Sequence, residues 1–384
     1  MTPPNTTLAK PRILHVYKDY YPPVMGGIEL TINILANGCK DHFDVSVLVN
    51  SGSKKSGVET INGVRVVRVK EWGRAASAPI SPAFIRALRR EARGTDLLHF
   101  HHPNPTADLA RLLGKPKPPA VMTYHSDVVR QKWAMAAYAP LQKWMLQNCR
   151  VIMPTSPNYM ESSPWLREHR DRCTVVPLGL PPQHYRSTPE ILAAAGHLQK
   201  KFENKPLIVF VGRLRYYKGL HFLVQAMKHI NAQLLIVGSG NSEAELRHLA
   251  ANQHLKHKVH FLGDLSHNEK LACLYAADIF CMPSHLRSEA FGLSQVEAMF
   301  TGLPVVSTTV DSGVPYVNKD GESGLTVPPE NPEALASAIT RLLKDDDLRL
   351  KLGEQAQQRA LKEFTSQTMC DNVMAIYRQV LGIN

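Results

Sequence analysis

Short apolar runs alternate with helix-period segments twice over in this chain, and that alternation limits the folds open to it. The first series runs through Ile13-Leu14-His15-Val16, 45–49, 64–67, 97–100, 120–123, 151–153 and Thr174-Val175-Val176. The second runs through Leu207-Ile208-Val209-Phe210-Val211, 233–237, 259–262, 279–282, 304–307 and 325–327. Runs this short and apolar suit strands buried on both faces, and the helical segments between them supply the crossovers that parallel strands need. The expectation is an α/β protein with two doubly wound, Rossmann-like parallel-sheet domains. Pro181-Pro182 closes the first series, and a polar helical stretch over 189–202 precedes the second. A chain of 384 residues is long for one core and natural for two. The expected boundaries are 1–180 and 181–365. A terminal helix over 366–384 follows, with Met369, Val373, Ile376, Tyr377 and Val380 at helical spacing.

In such sheets ligands sit beyond the carboxyl ends of the strands, so the turns that follow strands carry the argument. Glu289-Ala290-Phe291-Gly292-Leu293-Ser294-Gln295-Val296-Glu297 follows the 279–282 run and opens a helix. Glu289 falls in the turn, and Glu297 about one helical turn further on. The amides of Phe291, Gly292 and Leu293 lie at a helix start, where N–H groups lack intrahelical partners and suit an anion. Two carboxylates beside an anion site need hydroxyls or a cation, and a sugar on a nucleotide diphosphate has hydroxyls at both ends. An acidic helix start also arises simply because it complements the helix dipole. The deciding company is Gly212-Arg213-Leu214-Arg215-Tyr216-Tyr217-Lys218-Gly219, directly after the 207–211 run. Arg213 brings a planar fork and Lys218 a point charge, both suited to a diphosphate. Gly26 and Gly27 follow the first strand-like run and let backbone approach a phosphate. Gly238-Ser239-Gly240 follows a buried run but lacks the third glycine of a dinucleotide fingerprint, and fits nucleotide contact equally well.

These segments resemble the retaining GT-B glycosyltransferases of the large family four. So do Tyr20 to Glu29, with their glycine pair, and Thr123-Tyr124-His125-Ser126-Asp127. The resemblance covers nearly the whole chain. Within the family, His101-His102-Pro103-Asn104-Pro105, 125–132 and 155–159 look like bacterial mannosyltransferase-type enzymes of O-antigen and exopolysaccharide assembly. It implies two domains facing each other across a cleft, the terminal helix crossing back to the first, and a nucleotide-sugar donor held mainly by the second. It implies transfer of a hexose, mannose as first choice, to a glycan or polyprenyl-diphosphate-linked acceptor, on a same-face route without a covalent intermediate. By the same resemblance Arg213 and Lys218 stabilise the leaving diphosphate, Glu297 takes the ribose hydroxyls, Glu289 the sugar hydroxyls, and His125 steers the sugar near its anomeric centre. Glu289 as a catalytic carboxylate stays open as a second assignment. Acceptor contacts fall to His101, Asn104, Arg130 and Lys132. A nucleotide-sugar epimerase or hydrolase on the same fold, and a non-catalytic binding scaffold, remain as alternatives, since fold alone does not decide function.

Composition fits this and excludes other classes. No run of about eighteen uncharged apolar residues suggests a membrane span. Residues 1–10 are polar and lack the apolar core of a secretory signal. The six cysteines are scattered without a C-x-x-C pair, which fits reduced thiols in a cytoplasm rather than zinc or disulfides. The net charge of +12 comes with no modular nucleic-acid signature. Arg86, Arg89, Arg90 and Arg93 make one helical stripe opposite Ile85, Leu88 and Ala92, read either as a solvated face or as a peripheral contact with anionic membrane. His99 and His101 share a strand face as metal ligands would, yet no third ligand is evident nearby, so neither metal nor cofactor is expected. Asp345-Asp346-Asp347 reads as a helix start, not a metal motif.

Overall fold

The computed structural model describes residues 9–24, 26–75, 78–127 and 132–383. The chain forms two compact units. One comprises residues 1–155, 163–176 and 369–384, and the other 156–162 and 177–368.

The first unit holds β1 (Arg12–Val16), β2 (Asp44–Asn50), β3 (Gly57–Ile61), β4 (Val64–Val69), β5 (Gly73–Ala75), β6 (Ala78–Ile80), β7 (Leu97–His102), β8 (Ala120–Tyr124) and β9 (Val151–Pro154). Seven of these make one sheet in the order β3-β4-β2-β1-β7-β8-β9, and β5 and β6 form a separate antiparallel pair. Every pairing of the large sheet is parallel except β3 with β4. Chain order therefore reverses between β1 and β7. The β3 segment, Gly-Val-Glu-Thr-Ile, is almost wholly exposed, as an edge strand is. Its polar alternation hid it from the apolar-run criterion. The expected run 174–176 is not a strand of the sheet. It is extended chain tied to β9 by Thr174 N–H to Ile152 O at 2.9 Å and Val176 N–H to Pro154 O at 2.9 Å.

The second unit holds β10 (Leu207–Val211), β11 (Gln233–Val237), β12 (Val259–Gly263), β13 (Ile279–Met282), β14 (Val305–Thr308) and β15 (Gly324–Val327). Their order is β12-β11-β10-β13-β14-β15, all parallel. All five β10 residues, Leu-Ile-Val-Phe-Val, are buried, as a central strand covered on both faces requires. The helices Leu220–Ala226 and Pro332–Lys344 pack Leu223, Val224, Leu335, Ile339 and Leu342 onto this core. Asp345 caps the helix Asp346–Glu363 by accepting from Leu348 N–H at 2.9 Å.

The terminal helix Ser366–Leu381 belongs to the first unit from Met369 onward. It packs so closely on the helix Gly27–Cys39 that a Cβ at Gly38 would lie 2.4 Å from Cys370 Sγ. Among the described residues, no helix is long and apolar enough to cross a membrane.

Candidate active site

The second sheet reverses its order between β10 and β13, and both segments singled out in the sequence leave the sheet there. After β10 the chain passes through exposed Arg213 and buried Leu214 into a tight turn, Tyr216–Lys218. Gly219 ends that turn at φ +69°, and a Cβ on it would sit 1.9 Å from the carbonyl oxygen of Pro283, just past β13. Only glycine meets both demands, so the two turns touch backbone to backbone. The His285 N–H donates to Tyr217 O across the same junction at 3.0 Å.

This contact sets Lys218 against Glu289 in an ion pair, with side chains only 11% and 10% exposed. Burial pushes the Lys218 ammonium down, but the adjoining Glu289 carboxylate, with Tyr217 and Glu297 behind it, outweighs burial and holds the group above its ordinary range. The turn then reaches Gly292, at φ +81°, which starts the helix Leu293–Phe300. Phe291 is buried, its ring edge-on to Phe364 at 5.8 Å, so backbone is what it offers a ligand. Glu297 is already gripped. Lys270 donates to both carboxylate oxygens at 2.9 Å, and the Tyr185 hydroxyl donates to one at 3.1 Å. Burial, and then the Glu297 charge, raise the Tyr185 phenol. Sequence reasoning missed Lys270 and Tyr185, because neither neighbours Glu297 in the chain nor stands in a strand-end turn. Gly212 and Gly238 end adjacent strands and are tied into the edge by Gly212 N–H to Val237 O at 3.0 Å and Gly238 N–H to Gly263 O at 2.7 Å.

In the first unit the reversal between β1 and β7 collects histidines. Register pairs His15 with His99, and His101 with Thr123. His101 is buried with both nitrogens taken, Nε2 by His15 Nδ1 at 2.9 Å and Nδ1 by His125 Nε2 at 3.0 Å. His125 is itself buried in the turn after β8, and its Nδ1 has no partner among the described residues. The same holds for both ring nitrogens of buried His102 and for Nδ2 of buried Asn104. Buried polar atoms usually have a hydrogen-bond partner, so these nitrogens at the strand end are donors and acceptors left open by the described residues. Asp108 accepts from the Tyr138 hydroxyl, and burial pushes its carboxyl up to about 7. Gly26 precedes the helix Gly27–Cys39 as its N-cap. Arg130 and the Lys132 side chain lie outside the described residues.

His15 adds a third imidazole that the sequence did not place beside His99 and His101. Nitrogens of His15, His99 and His101 lie within 4.8 Å of one another. Those rings are engaged with each other and with Tyr377 and Thr123 by hydrogen bonds.

The family model for glycosyl transferases group 1 matches residues 198–359, and that for a glycosyl transferase 4-like domain matches 26–179. The O-antigen chain mannosyltransferase C of Escherichia coli is 34% identical over 371 residues, covering 96% of this chain and 99% of its own. This chain is a member of the group 1 glycosyl transferases. The D-rhamnosyltransferase WbpZ of Pseudomonas aeruginosa is 35% identical to this transferase over 356 residues, 92% of each chain. Sucrose-phosphate synthase from Thermosynechococcus elongatus superposes with a TM-score of 0.78 at 24% identity, over 97% of this chain and 100% of that one. Anabaena HepE in complex with UDP-glucose gives 0.77 at 18% identity, over 96% and 99%. These likenesses give the GT-B fold. The group 1 match spans Arg213, Lys218, Glu289 and Glu297 of the transferase, and the 4-like match spans Gly26, Gly27 and His125.

Proposed function

We propose that this glycosyltransferase moves a hexose, with mannose the first choice, from a nucleotide-diphosphate sugar to a hydroxyl of a glycan or polyprenyl-diphosphate-linked glycan. Configuration at the anomeric carbon is retained, and the product belongs to lipopolysaccharide or another polysaccharide. The observation that carries this reading is the buried Lys218–Glu289 pair at the switch point of the second sheet, with Arg213 exposed in the same turn. The relatives named for mannose and rhamnose transfer support it, as does the UDP-glucose held by HepE.

The diphosphate meets Arg213, the Lys218 ammonium, and the helix-start amides from Phe291 to Leu293. Glu289 accepts from sugar hydroxyls, and Glu297, oriented by Lys270 and Tyr185, accepts from the ribose. As the anomeric C–O bond breaks, its electron pair leaves with the diphosphate, and the growing charge is met by two fixed cations. The acceptor oxygen bonds the anomeric carbon from the same face, and its proton passes to the departing phosphate oxygen. His125, Asn104, Arg130 and Lys132 serve the sugar and acceptor in the first unit. Side-chain cations stand where a metal ion would otherwise neutralise phosphate. Exposed Arg86, Arg89, Arg90 and Arg93 rest on anionic lipid, bringing the enzyme to a lipid-linked acceptor at the cytoplasmic face.

The test is a panel of guanosine- and uridine-diphosphate hexoses scored for saturable binding, then mass analysis of a lipid-linked acceptor incubated with each bound donor. The expected result is an acceptor heavier by one hexose and α-configured. Donor converted with the acceptor unchanged overturns the proposal in favour of an epimerase or hydrolase.

A further inference from the structure

Six groups of the first unit form one unbroken hydrogen-bonded line. Thr123 Oγ1 meets His99 Nε2 at 2.7 Å, and His99 Nδ1 meets the Tyr377 hydroxyl at 2.6 Å. That hydroxyl meets His15 Nε2 at 3.3 Å, His15 Nδ1 meets His101 Nε2 at 2.9 Å, and His101 Nδ1 meets His125 Nε2 at 3.0 Å. All six side chains are buried. Desolvation lowers His15 and His125 to about 3 and drives His99 and His101 well below the usual imidazole range, so the rings are neutral.

A neutral imidazole carries one N–H and one bare nitrogen, so each contact dictates the next. If Tyr377 accepted from both of its neighbours, its own buried proton would bond nothing, so two arrangements remain, with all donors pointing toward His125 or all pointing away. The far end decides between them. Thr123 Oγ1 has no other partner among the described residues, so a hydroxyl that only accepted would leave its proton buried and unbonded. Thr123 therefore donates to His99, His99 Nδ1–H to Tyr377, Tyr377 O–H to His15, His15 Nδ1–H to His101, and His101 Nδ1–H to His125.

We infer that Thr123, His99, Tyr377, His15 and His101 are positioning residues that hold His125 in its Nδ1–H form, a fixed donor aimed at a sugar or phosphate oxygen. The inference about what that donor meets rests on the transfer reading above. The line itself does not. His125 thereby offers no bare nitrogen to remove a proton, which agrees with the phosphate taking the acceptor's proton.

Two-bond ¹⁵N–¹H correlation of the full-length protein at pH 7.5, with ring signals assigned from single His→Gln variants, reads each tautomer directly. The expected result is Nδ1–H at His15, His99, His101 and His125. Tyr377→Phe, three links away from His125, and Thr123→Val, at the far end, should each raise the Nε2–H fraction of His125. Both should lower kcat about tenfold, the size of one hydrogen bond strengthened in the transition state, with donor KM little changed. An Nε2–H His125 in the unaltered protein, or a His125 tautomer indifferent to both substitutions, overturns the inference whatever the activity. The expected tautomers in a protein that transfers no hexose would instead leave the line standing and remove the proposed reaction.

Discussion

Breaking the Lys218–Glu289 pair should cost more than breaking any surface ion pair, and in a pH-dependent way. Glu289→Gln leaves Lys218 buried beside an amide, without the carboxylate that now holds its ammonium up against burial. The stranded cation has one escape, which is to lose its proton. At pH 7.5, about three units below the usual lysine value, that escape costs about 4 kcal/mol, so the deficit lies near this ceiling. The folded variant then binds fewer protons than its unfolded chain, so its stability rises with pH. The deficit should shrink by about 1.4 kcal/mol for each unit between pH 7.5 and 9.5. Lys218→Met should cost about 3–5 kcal/mol, and Lys218→Met with Glu289→Leu should return to within about 1 kcal/mol of the original. All four tryptophans lie in the first unit, so the assay is hydrogen exchange of the central β10 and β13 amides. Additive single costs below about 1 kcal/mol, flat with pH, would refute the reasoning, since that is how an exposed pair behaves.

Arg213→Ala should lose charge-assisted bonds worth about 2–4 kcal/mol in the transition state, about 10²–10³ in kcat/KM, and unchanged turnover at full donor loading would remove Arg213 from the chemistry. His15, His99, His101, His102 and His125 are all held below the usual imidazole range by burial, His102 to about 3. Their unfolded forms gain protons below about 6.5, so stability falls with acid. Between pH 7.5 and 5.5 the first unit should lose roughly 1 kcal/mol per ring, which urea unfolding followed by tryptophan fluorescence measures. His102→Phe, which keeps the stack on Tyr124 at 4.4 Å and deletes two orphaned nitrogens, should flatten that slope by one proton; an unchanged slope counts against a neutral His102. Replacing Arg86, Arg89, Arg90 and Arg93 by Gln should weaken binding to anionic vesicles in low salt, and equal binding would return the stripe to an ordinary solvated face.

The sequence carried the second sheet and its switch-point turns well, for a physical reason. Leu207–Val211 and Ile279–Met282 are buried on both faces, and Arg213, Lys218 and Glu289 stand in the turns directly after them. Local chain distance is spatial distance there. It failed where parallel register decides. That His15 lies opposite His99 depends on which strands become neighbours, and that Tyr377 bonds His99 joins residues 278 apart. Lys270 reaches Glu297 across 27 positions from a helix of unremarkable pattern. Gly57–Ile61 and Gly73–Ala75 escaped because exposed strands need no apolar run, and Ala78–Ile80 because it is only three residues long.

The terminal helix has a consequence for synthesis. Tyr377 is fully buried in the first unit, yet the ribosome makes it only after all of 177–368. A nascent first unit must wait, with its β1–β7 histidines uncovered, while the second is translated and free to fold. Chaperone demand and protease sensitivity should peak in that interval, and chains that stop short of residue 369 should leave the earlier-made half, not the later one, unfinished.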